Sequence, residues 1–231
     1  MYPSNFLNKD RISELTAKML LEINAVNFNS ENPYKLTSGL ISPVYIDCRK
    51  LISYPRIRST LMDFAVTSVF RDVGFESFDA VAGGETAGIP FAAWIADKMG
   101  LPMQYVRKNA KGFGRNAQIE GELVPGQRVL LVEDLTTDGG SKINFCKILR
   151  EAGAVVNHTV VVFYYDIFPE TRNVLQSHNI TLHSLATWHD ILEICKQYNY
   201  FNTKVLNEVE SFLESPLKWS GDRGGITTVA N

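Results

Sequence analysis

The stretch RVLLVEDLTTDGGSKINFCKILREAG, residues 128–153, decides the fold of this chain more than any other. It begins with the branched apolar run RVLLVE (128–133), which is typical of a strand buried on both faces. A turn rich in hydroxyl groups and glycines follows, and SKINFCKILREAG (141–153) predicts a helix. A buried strand, a turn and a helix form the repeating unit of a parallel sheet.

The same unit recurs on both sides of this stretch. Continuous apolar strands that alternate with helices predict an α/β fold, in which helices cover both faces of a parallel sheet. The other predicted strands are 78–83, 102–107, 155–165 and 180–187, and the other predicted helices are 88–100, a segment near 169–178 and two terminal helices.

The N-terminal part of the chain predicts a separate small unit. Apolar residues at helical spacing in DRISELTAKMLLEINAV (10–26) predict a helix with Asp10 as its cap. NPYKLTSGLISPVYID (32–47) predicts a small hairpin outside the main sheet, and a helix is expected after Pro55. We therefore expect an N-terminal helix and hairpin at 1–54, a core at 55–200, and a C-terminal helix and tail at 201–231, with the last dozen residues frayed.

Composition and charge argue against several classes of function. The chain has 231 residues, of which 45% are hydrophobic, so it can bury a substantial core without disulfides. A formal net charge of -2 gives no support to binding of nucleic acids or membrane surfaces. The three cysteines, Cys48, Cys146 and Cys195, have no CxxC spacing and indicate free thiols in a reducing compartment. Without a signal peptide core or a run of ~20 apolar residues, we expect a cytoplasmic protein.

The turn after the strand 128–133 has the chemistry of an anion site. Gly139 and Gly140 allow successive backbone N–H groups to converge, and the following helix directs its positive dipole end to the same place. Thr136, Thr137 and Ser141 add hydroxyl donors. The turn matches neither a Walker A loop nor a Rossmann G-x-G-x-x-G turn. It predicts a cradle for a phosphate group.

Two acids, Glu133 and Asp134, stand directly before this turn. A carboxylate repels phosphate but accepts hydrogen bonds, so its natural partners are sugar hydroxyls or the water shell of a divalent cation. Together with the phosphate cradle, the acids favour a phosphorylated ribose as the ligand. The alternative is a strand with an ordinary turn and an acidic helix cap. The ordered run of acids, hydroxyls and glycines favours the ligand site.

The segment VLLVEDLTTDGGS (129–141) resembles the ribose-phosphate signature of the type I phosphoribosyltransferases. The resemblance implies a parallel-sheet core with a small N-terminal hood. It also implies that the paired acids hold the 2- and 3-hydroxyls of 5-phosphoribosyl 1-diphosphate while the turn binds its 5-phosphate. The substrate-binding residues so implied are Glu133, Asp134, Leu135, Thr136, Thr137, Asp138, Gly139, Gly140 and Ser141.

A second glycine-rich turn lies in VAGGETAGIPFAAWIA (81–96), again between a strand and a helix. Gly83, Gly84 and Gly88 either let the backbone approach a second anion or permit close packing of helix on sheet, and the residues alone do not decide between these. In the phosphoribosyltransferases this position is the pyrophosphate loop, and TAGIP resembles its version in the orotate phosphoribosyltransferases.

A basic segment, YVRKNAKGFGRNAQIEGEL (105–123), carries four cations within nine residues. The alternatives are a solvated basic loop and an active-site lid, and the adjoining phosphate cradle favours the lid. The segment resembles the catalytic loop of the orotate phosphoribosyltransferases, and KLTSGLISPVYID (35–47) resembles their hood, which forms part of the orotate pocket. The resemblance implies a homodimer, in which the 108–118 loop acts in the neighbouring subunit's site.

The resemblance runs from about residue 10 to residue 215 and implies transfer of ribose 5-phosphate to orotate. Arg107, Lys108 and Lys111 would be the catalytic cations closing over pyrophosphate, with Mg²⁺ carried by the substrate and no dedicated protein metal site. Relatives can carry lysines at the positions of Ala87 and Thr37, and a histidine at that of Phe113.

Two alternatives remain open at this point. A purine-type phosphoribosyltransferase shares the ribose-phosphate motif, although the hood and the loop argue against it. A sensor that binds the sugar phosphate without catalysis would carry a DNA-binding region or a broad basic surface, and the sequence indicates neither. We therefore expect small-molecule substrates and neither a nucleic-acid nor a membrane partner.

Overall fold

In the computed structural model, which describes residues 6–110 and 118–228, strands and helices alternate through the core as the apolar pattern predicts. The strands are β1 (Val26–Phe28), β2 (Tyr34–Lys35), β3 (Ile41–Ser42), β4 (Val44–Ile46), β5 (Ala80–Gly84), β6 (Met103–Val106), β7 (Ile119–Glu120), β8 (Arg128–Thr136), β9 (Val155–Tyr164) and β10 (Thr181–Thr187). The helices are α1 (Lys9–Glu22), α2 (Pro55–Asp72), α3 (Gly88–Met99), α4 (Gly140–Glu151), α5 (Glu170–Ser177), α6 (Trp188–Tyr198), α7 (Thr203–Glu214) and α8 (Pro216–Gly221), with a 3₁₀ helix at Cys48–Ser53.

The central sheet has the strand order β10–β9–β8–β5–β6–β7. Its neighbouring strands are parallel except for the short β7, which runs antiparallel to β6. From the middle of the sheet, the chain goes to one side through β5 and β6 and to the other through β8, β9 and β10. The direction of winding therefore reverses between β5 and β8. In open α/β sheets, ligands bind at the carboxyl ends of the strands where this reversal occurs.

Strand β8 shows why the apolar run is continuous. Leu130 and Val132 belong to a core shared with α1, α2, α3 and α6, while Val129 and Leu131 belong to a second core shared with α4 and α5. Successive side chains of a strand point to opposite faces, so a strand with helices on both sides needs apolar residues at every position. The prediction of a parallel sheet covered on both faces is confirmed.

Two boundaries differ from prediction for local physical reasons. Asn8 rather than Asp10 caps α1, because its side-chain oxygen accepts the Arg11 N–H at 2.8 Å. Asp10 lies in the first turn of the helix, where its charge meets the positive end of the dipole. Strand β8 continues three residues beyond the predicted end, to Thr136, because Leu135 and Thr136 still pair with β9. The two acids before the turn therefore stand on a strand.

The predicted N-terminal hairpin is confirmed as a unit outside the central sheet. Strands β2 and β3 pair antiparallel, and so do β1 and β4, and within the described ranges neither pair joins the six-stranded sheet. We call residues 34–42 the hood hairpin. Each of its strands has only two residues.

The C-terminal part departs from the prediction. Between β10 and residue 228, where the described part ends, there are three helices rather than two, and α8 is the additional one. The frayed tail expected from residue 220 is wrong for residues 220–226, since Ser220 Oγ accepts the Ile41 N–H at 3.0 Å and Gly225 N donates to Ser220 O at 2.9 Å. The division at residues 54 and 200 stays a prediction. None of the helices in the described part of the chain is long and apolar enough to cross a membrane.

Candidate active site

A cavity of about 710 Å³ opens at the carboxyl ends of β5 and β8, where the direction of winding reverses. Several segments that are distant in sequence meet there. The cavity is lined by residues 36–38 and 45–49 of the N-terminal unit, 85–87 after β5, Lys108, residues 133–138, 141 and 142 of the β8–α4 segment, Tyr165, Phe168 and Ile226. The fold therefore brings the turn after β8, the turn after β5 and the hood hairpin together around one cavity.

Seven of the nine predicted substrate-binding residues line this cavity: Glu133, Asp134, Leu135, Thr136, Thr137, Asp138 and Ser141. The other two, Gly139 and Gly140, are not among the described lining residues and act through the backbone. Gly139 has φ +84° and lets the chain turn into α4. The Gly140 N–H donates to the Asp138 carboxylate at 3.0 Å, so this amide at the start of α4 is already bound to a carboxylate oxygen.

Glu133 is held by a buried lysine that the sequence analysis did not single out. Lys142 Nζ forms an ion pair with Glu133 Oε2 and also donates to the backbone oxygen of Leu135. Ser141 Oγ donates to the same Glu133 oxygen at 2.9 Å and lies 3.2 Å from Lys142 Nζ. The side chains of Lys142 and Glu133 are only 3% and 9% exposed. Glu133 is therefore fixed in position, with one of its oxygens bound by protein groups.

Asp134 faces the other side of β8, as the alternation of strand side chains requires. It forms an ion pair with Arg49, whose Nε lies 3.8 Å from Oδ2 and whose side chain is 68% exposed. Burial raises the pKa of Asp134, and the charge of Glu133 adds to this, while Lys142 and Arg49 act in the opposite direction. Because its charge is less compensated by protein groups than that of Glu133, Asp134 is the better acceptor for a ligand hydroxyl.

The turn after β5 contributes Glu85, Thr86 and Ala87 to the cavity, while its glycines serve packing. A Cβ on Gly83 would lie 2.7 Å from the backbone oxygen of Gly88, and a Cβ on Gly88 would lie 2.4 Å from that of Val132. The close packing of α3 on the sheet therefore requires these glycines. Of the two interpretations left open by the sequence, the structure favours packing.

The three predicted catalytic cations have different positions. Lys108 lines the cavity, and its backbone N–H donates to Glu85 Oε2 at 2.7 Å. Arg107 is not among the described lining residues, because its Nε donates to Glu120 on β7 at 2.9 Å, a contact that raises the pKa of Arg107. Lys111 lies outside the described residues.

Several of the lining residues were not predicted from the sequence. Lys142 had a usable signal: a lysine in the first turn of a helix opposes the positive end of the dipole, which suggests a nearby acid. Arg49, Tyr165, Phe168 and Ile226 carried no local signal, since each reaches the cavity through packing between distant segments.

The acidic side chains at the cavity also bear on how a metal ion could bind. Among residues 6–110 and 118–228, no group of three or more His, Cys, Asp or Glu side chains is placed to hold a metal ion. The acids at the cavity are one ion-paired carboxylate, Glu133, and one less compensated carboxylate, Asp134. This donor set suits an ion that keeps most of its ligands from phosphate and water.

Comparison with known proteins gives a consistent result. The phosphoribosyl transferase domain family matches residues 59–178. An orotate phosphoribosyltransferase of Roseobacter denitrificans is 61% identical over 219 residues, which cover 95% of this chain and 97% of the relative. One from Sinorhizobium fredii is 57% identical over 230 residues, which cover 100% of this chain and 99% of the relative.

Similarity extends to solved structures. The crystal structure of orotate phosphoribosyltransferase from Aeropyrum pernix superposes with a TM-score of 0.67 at 30% sequence identity, over 80% of this chain and 99% of that one. The parallel sheet is thus shared with a protein of this activity across most of the chain.

Proposed function

The chain belongs to the orotate phosphoribosyltransferases of the phosphoribosyl transferase domain family, and we propose that the cavity at the carboxyl ends of β5 and β8 is its active site. The enzyme transfers ribose 5-phosphate from 5-phosphoribosyl 1-diphosphate to orotate, which gives orotidine 5-phosphate and pyrophosphate in pyrimidine biosynthesis. One observation supports this location. A single cavity is lined by the β8–α4 segment, the turn after β5, Lys108 and the hood hairpin.

The ribose would bind at the acids of β8. The reaction breaks the bond between C1 of ribose and a pyrophosphate oxygen, and the sugar ring becomes oxocarbenium-like, so the enzyme mainly has to fix the ring and stabilise the leaving charge. Asp134 would accept hydrogen bonds directly from the ribose hydroxyls. Lys142 and Ser141 bind one oxygen of Glu133, and its other oxygen would also accept a hydrogen bond from these hydroxyls.

The 5-phosphate would bind at the turn between Thr136 and Ser141. This turn leads into α4, a helix of 12 residues, whose N-terminal amides carry the partial positive charge that attracts phosphate. The Gly140 amide is bound by Asp138 in this structure, so the phosphate competes with a carboxylate for that donor. Binding of the substrate therefore includes a change in the position of Asp138.

The pyrophosphate would lie beside Lys108 and the turn at 85–87. Lys108 is placed on the cavity wall, and its link to Glu85 connects the basic segment with that turn. Arg107 joins the site only if its guanidinium leaves Glu120 when the loop closes. Lys111 completes the set of cations that stabilise charge on the leaving group.

Mg²⁺ is proposed to arrive with 5-phosphoribosyl 1-diphosphate. Its chemistry would be to neutralise charge on the pyrophosphate oxygens. Asp134 and Glu133 are the residues that would hold its water shell, which fits their position and the donor set of the cavity. This chain's own residues orient the two substrates around it.

A homodimer is proposed in which the 108–118 loop acts in the neighbouring subunit's site. Lys108 lines the cavity of its own chain, so the part of the loop that crosses between subunits begins after it. The test mixes two inactive homodimers, Lys111→Ala and Asp134→Asn, under conditions of subunit exchange. If the loop crosses, random hybrids regain about a quarter of the native activity, since half of the dimers have one intact site. If it acts within its own chain, no activity returns.

A cytoplasmic location is proposed as well. Cys48, Cys146 and Cys195 are free and buried, and burial raises the pKa of all three thiols. Free thiols suit a reducing compartment. Fractionation of cells that produce the protein from its own gene should recover it with cytoplasmic markers, and recovery in a secreted fraction would contradict the proposal.

The activity and the role of the loop are tested by orotate consumption, followed by ultraviolet absorbance in the presence of Mg²⁺ and 5-phosphoribosyl 1-diphosphate. Lys111→Ala should lower the rate by about 10²- to 10³-fold, as expected for loss of one transition-state donor. Lys147→Ala, a change at a 71% exposed lysine of α4, is the control and should leave the rate unchanged. Sugar-phosphate binding without orotate consumption would reject the assignment, and a nucleobase panel would follow.

A further inference from the structure

The segment after α7 is attached firmly to the body of the protein. Trp219 packs edge-on against Phe212 of α7, and Arg223 lies 3.6 Å above the Trp219 ring while pairing with Glu208 at 3.0 Å. After α8 the chain turns back, with Gly224 at φ +79° and the Gly225 N–H bonded to Ser220 O. The turn directs the following residues toward the hood hairpin.

Three contacts join this segment to the hood hairpin. The fully buried Ser220 accepts the Ile41 N–H through its Oγ at 3.0 Å. The Ile226 N–H donates to the backbone oxygen of Gly39 at 3.4 Å. A Cβ on Gly225 would lie 2.7 Å from Ile41 Cγ1 and 2.3 Å from Ser220 Oγ, so the two backbones approach as closely as glycine allows. We call residues 220–228 the C-terminal cover.

The hood hairpin needs such support. Its strands are two residues long, and an isolated two-stranded hairpin is marginally stable at best. Leu36, Ile41 and Ile226 all pack against the main core, so the cover extends the apolar support beneath the hairpin. Residues 36–38 at the tip of the hairpin line the active-site cavity, and their position therefore depends on the C-terminal end of the chain.

Ile226 also lines the cavity itself. The wall formed by the β8–α4 segment carries the acids, the lysine and the hydroxyl groups, which suit the ribose and the phosphates. Leu36, Ile226 and Phe168 provide apolar lining, and a flat heteroaromatic ring is the part of the two substrates that such a surface fits.

We propose that the C-terminal cover is part of the orotate site: it holds the hood hairpin in place, and Ile226 supplies an apolar wall for the base. This proposal rests on the assignment of the cavity as the active site. Ser220 and Gly225 are positioning residues in it, and Ile226 is a residue that determines affinity for the base.

A pair of deletions from the otherwise complete chain tests the proposal. Removal of residues 225–231 takes away the contact with Gly39, whereas removal of residues 229–231 leaves it intact and is the matched control. The longer deletion should raise the KM for orotate by about tenfold or more, as expected for loss of apolar contact with a bound ring, with a change of less than about twofold in the KM for 5-phosphoribosyl 1-diphosphate. Equal KM values for orotate in the two deletions would overturn the proposal.

Point variants distinguish the role of Ile226 as an apolar wall for the base from the role of the cover in supporting the hood hairpin. Ile226→Ala should raise the KM for orotate by about tenfold, and Ile226→Val should restore most of the affinity, because one methyl group is lost instead of three carbons. Val124→Ala, at a 53% exposed position outside the described lining, is the control. If Ile226→Ala changes the KM values of both substrates equally, the residue has only a general structural role.

A measurement without catalysis distinguishes failure of this proposal from failure of the assigned active site. Amide hydrogen exchange of the hood hairpin should be faster in the 225–231 deletion than in the 229–231 deletion, with or without substrate. Equal exchange shows that the cover does not hold the hairpin. If exchange is faster but the enzyme consumes orotate with an unchanged KM for orotate, the cover supports the hood hairpin and does not form a wall of the base site.

Discussion

The β8–α4 segment (133–142) and the hood hairpin with its C-terminal cover line the same cavity but are built in opposite ways. In the first region the deciding contacts are local: Ser141 and Glu133, which share a hydrogen bond, are eight residues apart. In the second they are distant: Ile41 and Ser220, which are also hydrogen-bonded, are 179 residues apart. One wall of the cavity is therefore encoded by a short sequence motif. The other wall forms only when distant parts of the chain have folded together.

The two walls also differ in what stabilises them. The β8–α4 segment depends on a buried ion pair between Lys142 and Glu133, which is sensitive to the loss of either partner. The hood hairpin depends on apolar packing and on hydrogen bonds to the C-terminal cover, one to the Ser220 hydroxyl and one to the Ile226 amide. Changes in the first region should therefore have large effects on stability, and changes in the second should mainly alter substrate affinity.

The largest effect is expected for Lys142→Met. Removal of the cation leaves the Glu133 carboxylate buried without its ion-pair partner, and such a loss costs about 3–5 kcal/mol in the free energy of unfolding. Urea denaturation followed by circular dichroism measures this change.

The double variant Lys142→Met with Glu133→Gln is the control for that prediction. It removes both charges, so most of the lost stability should return, while transfer of ribose 5-phosphate to orotate stays impaired because the acid is absent. A single Lys142→Met variant that loses less than about 1 kcal/mol would show that the pair contributes little, and the contrast between the two walls would not hold.

The next largest effect concerns pH and a third region away from the cavity. His183 Nε2 lies 3.1 Å from His158 Nδ1, and His183 Nδ1 lies 3.6 Å from Asp72. Burial, with His158 and Arg71 adding to it, lowers the pKa of His183 to about 4, although Asp72 acts in the opposite direction. His183 therefore stays neutral in the folded protein, while in the unfolded chain it takes up a proton near pH 6.5.

The unfolded state thus binds more protons between pH 6.5 and about 4, so the free energy of unfolding falls as the pH falls through this range. The contribution of His183 is fully present above pH 6.5, and the total loss by pH 4 is about 3 kcal/mol. Urea midpoints from pH 7 to pH 4 measure it. His183→Gln should reduce the dependence of the free energy of unfolding on pH, whereas His178→Gln, at an exposed position, should not. An unchanged pH dependence in His183→Gln would show that protonation of His183 is not the cause.

A smaller effect is expected for Gly139→Ala in the β8–α4 segment. Gly139 has φ +84°, and an added Cβ would lie 3.0 Å from Leu175 Cδ2. A left-handed alanine costs about 1–2 kcal/mol, and the turn into α4 should shift. We expect a raised KM for 5-phosphoribosyl 1-diphosphate with little change for orotate, measured by initial rates.

The smallest effect is expected for the matched change in the other region, Gly39→Ala. Gly39 has φ +87°, and its added Cβ would lie 3.1 Å from Ile226 Cγ2. The cost in stability is again about 1–2 kcal/mol at most, because the strain can be relieved at the surface. Here the KM for orotate should rise and that for 5-phosphoribosyl 1-diphosphate should not. If Gly139→Ala instead raised the KM for orotate and Gly39→Ala raised that for 5-phosphoribosyl 1-diphosphate, the substrates assigned to the two walls would have to be exchanged.

The sequence predicted the core of the fold well because its signals are local. Continuous apolar runs in β8 and β9 report burial on both faces, and the run of acids, hydroxyls and glycines after residue 132 marks the carboxyl end of a strand. Seven of the nine predicted substrate-binding residues, which are contiguous in sequence, line the cavity, and their roles in binding stay predictions. Lys111 lies outside the described residues, so its role stays a prediction.

Prediction was less complete wherever pairing or packing acts over distance. The end of β8 was placed too early because pairing with β9, rather than side-chain pattern, keeps Leu135 and Thr136 in the strand. Arg107 was expected at the cavity with Lys108, yet its guanidinium pairs with Glu120. The tail at residues 220–226 was expected to fray as a chain end, but Gly225 lets its backbone come into close contact with Ile41.

By itself, the sequence determined a parallel sheet with helices on both faces and a turn of hydroxyl residues and glycines preceded by two acids, because strand, turn and helix signals extend over a few neighbouring residues. Only the tertiary structure decided that Glu133 pairs with Lys142 while Asp134 faces the other side of β8. It also decided that Ile226 joins the hood hairpin at the cavity. The contacts of Ile226 depend on which distant surfaces pack together, and the pairing of Glu133 depends on which face of β8 meets α4; a local pattern of residues encodes neither choice.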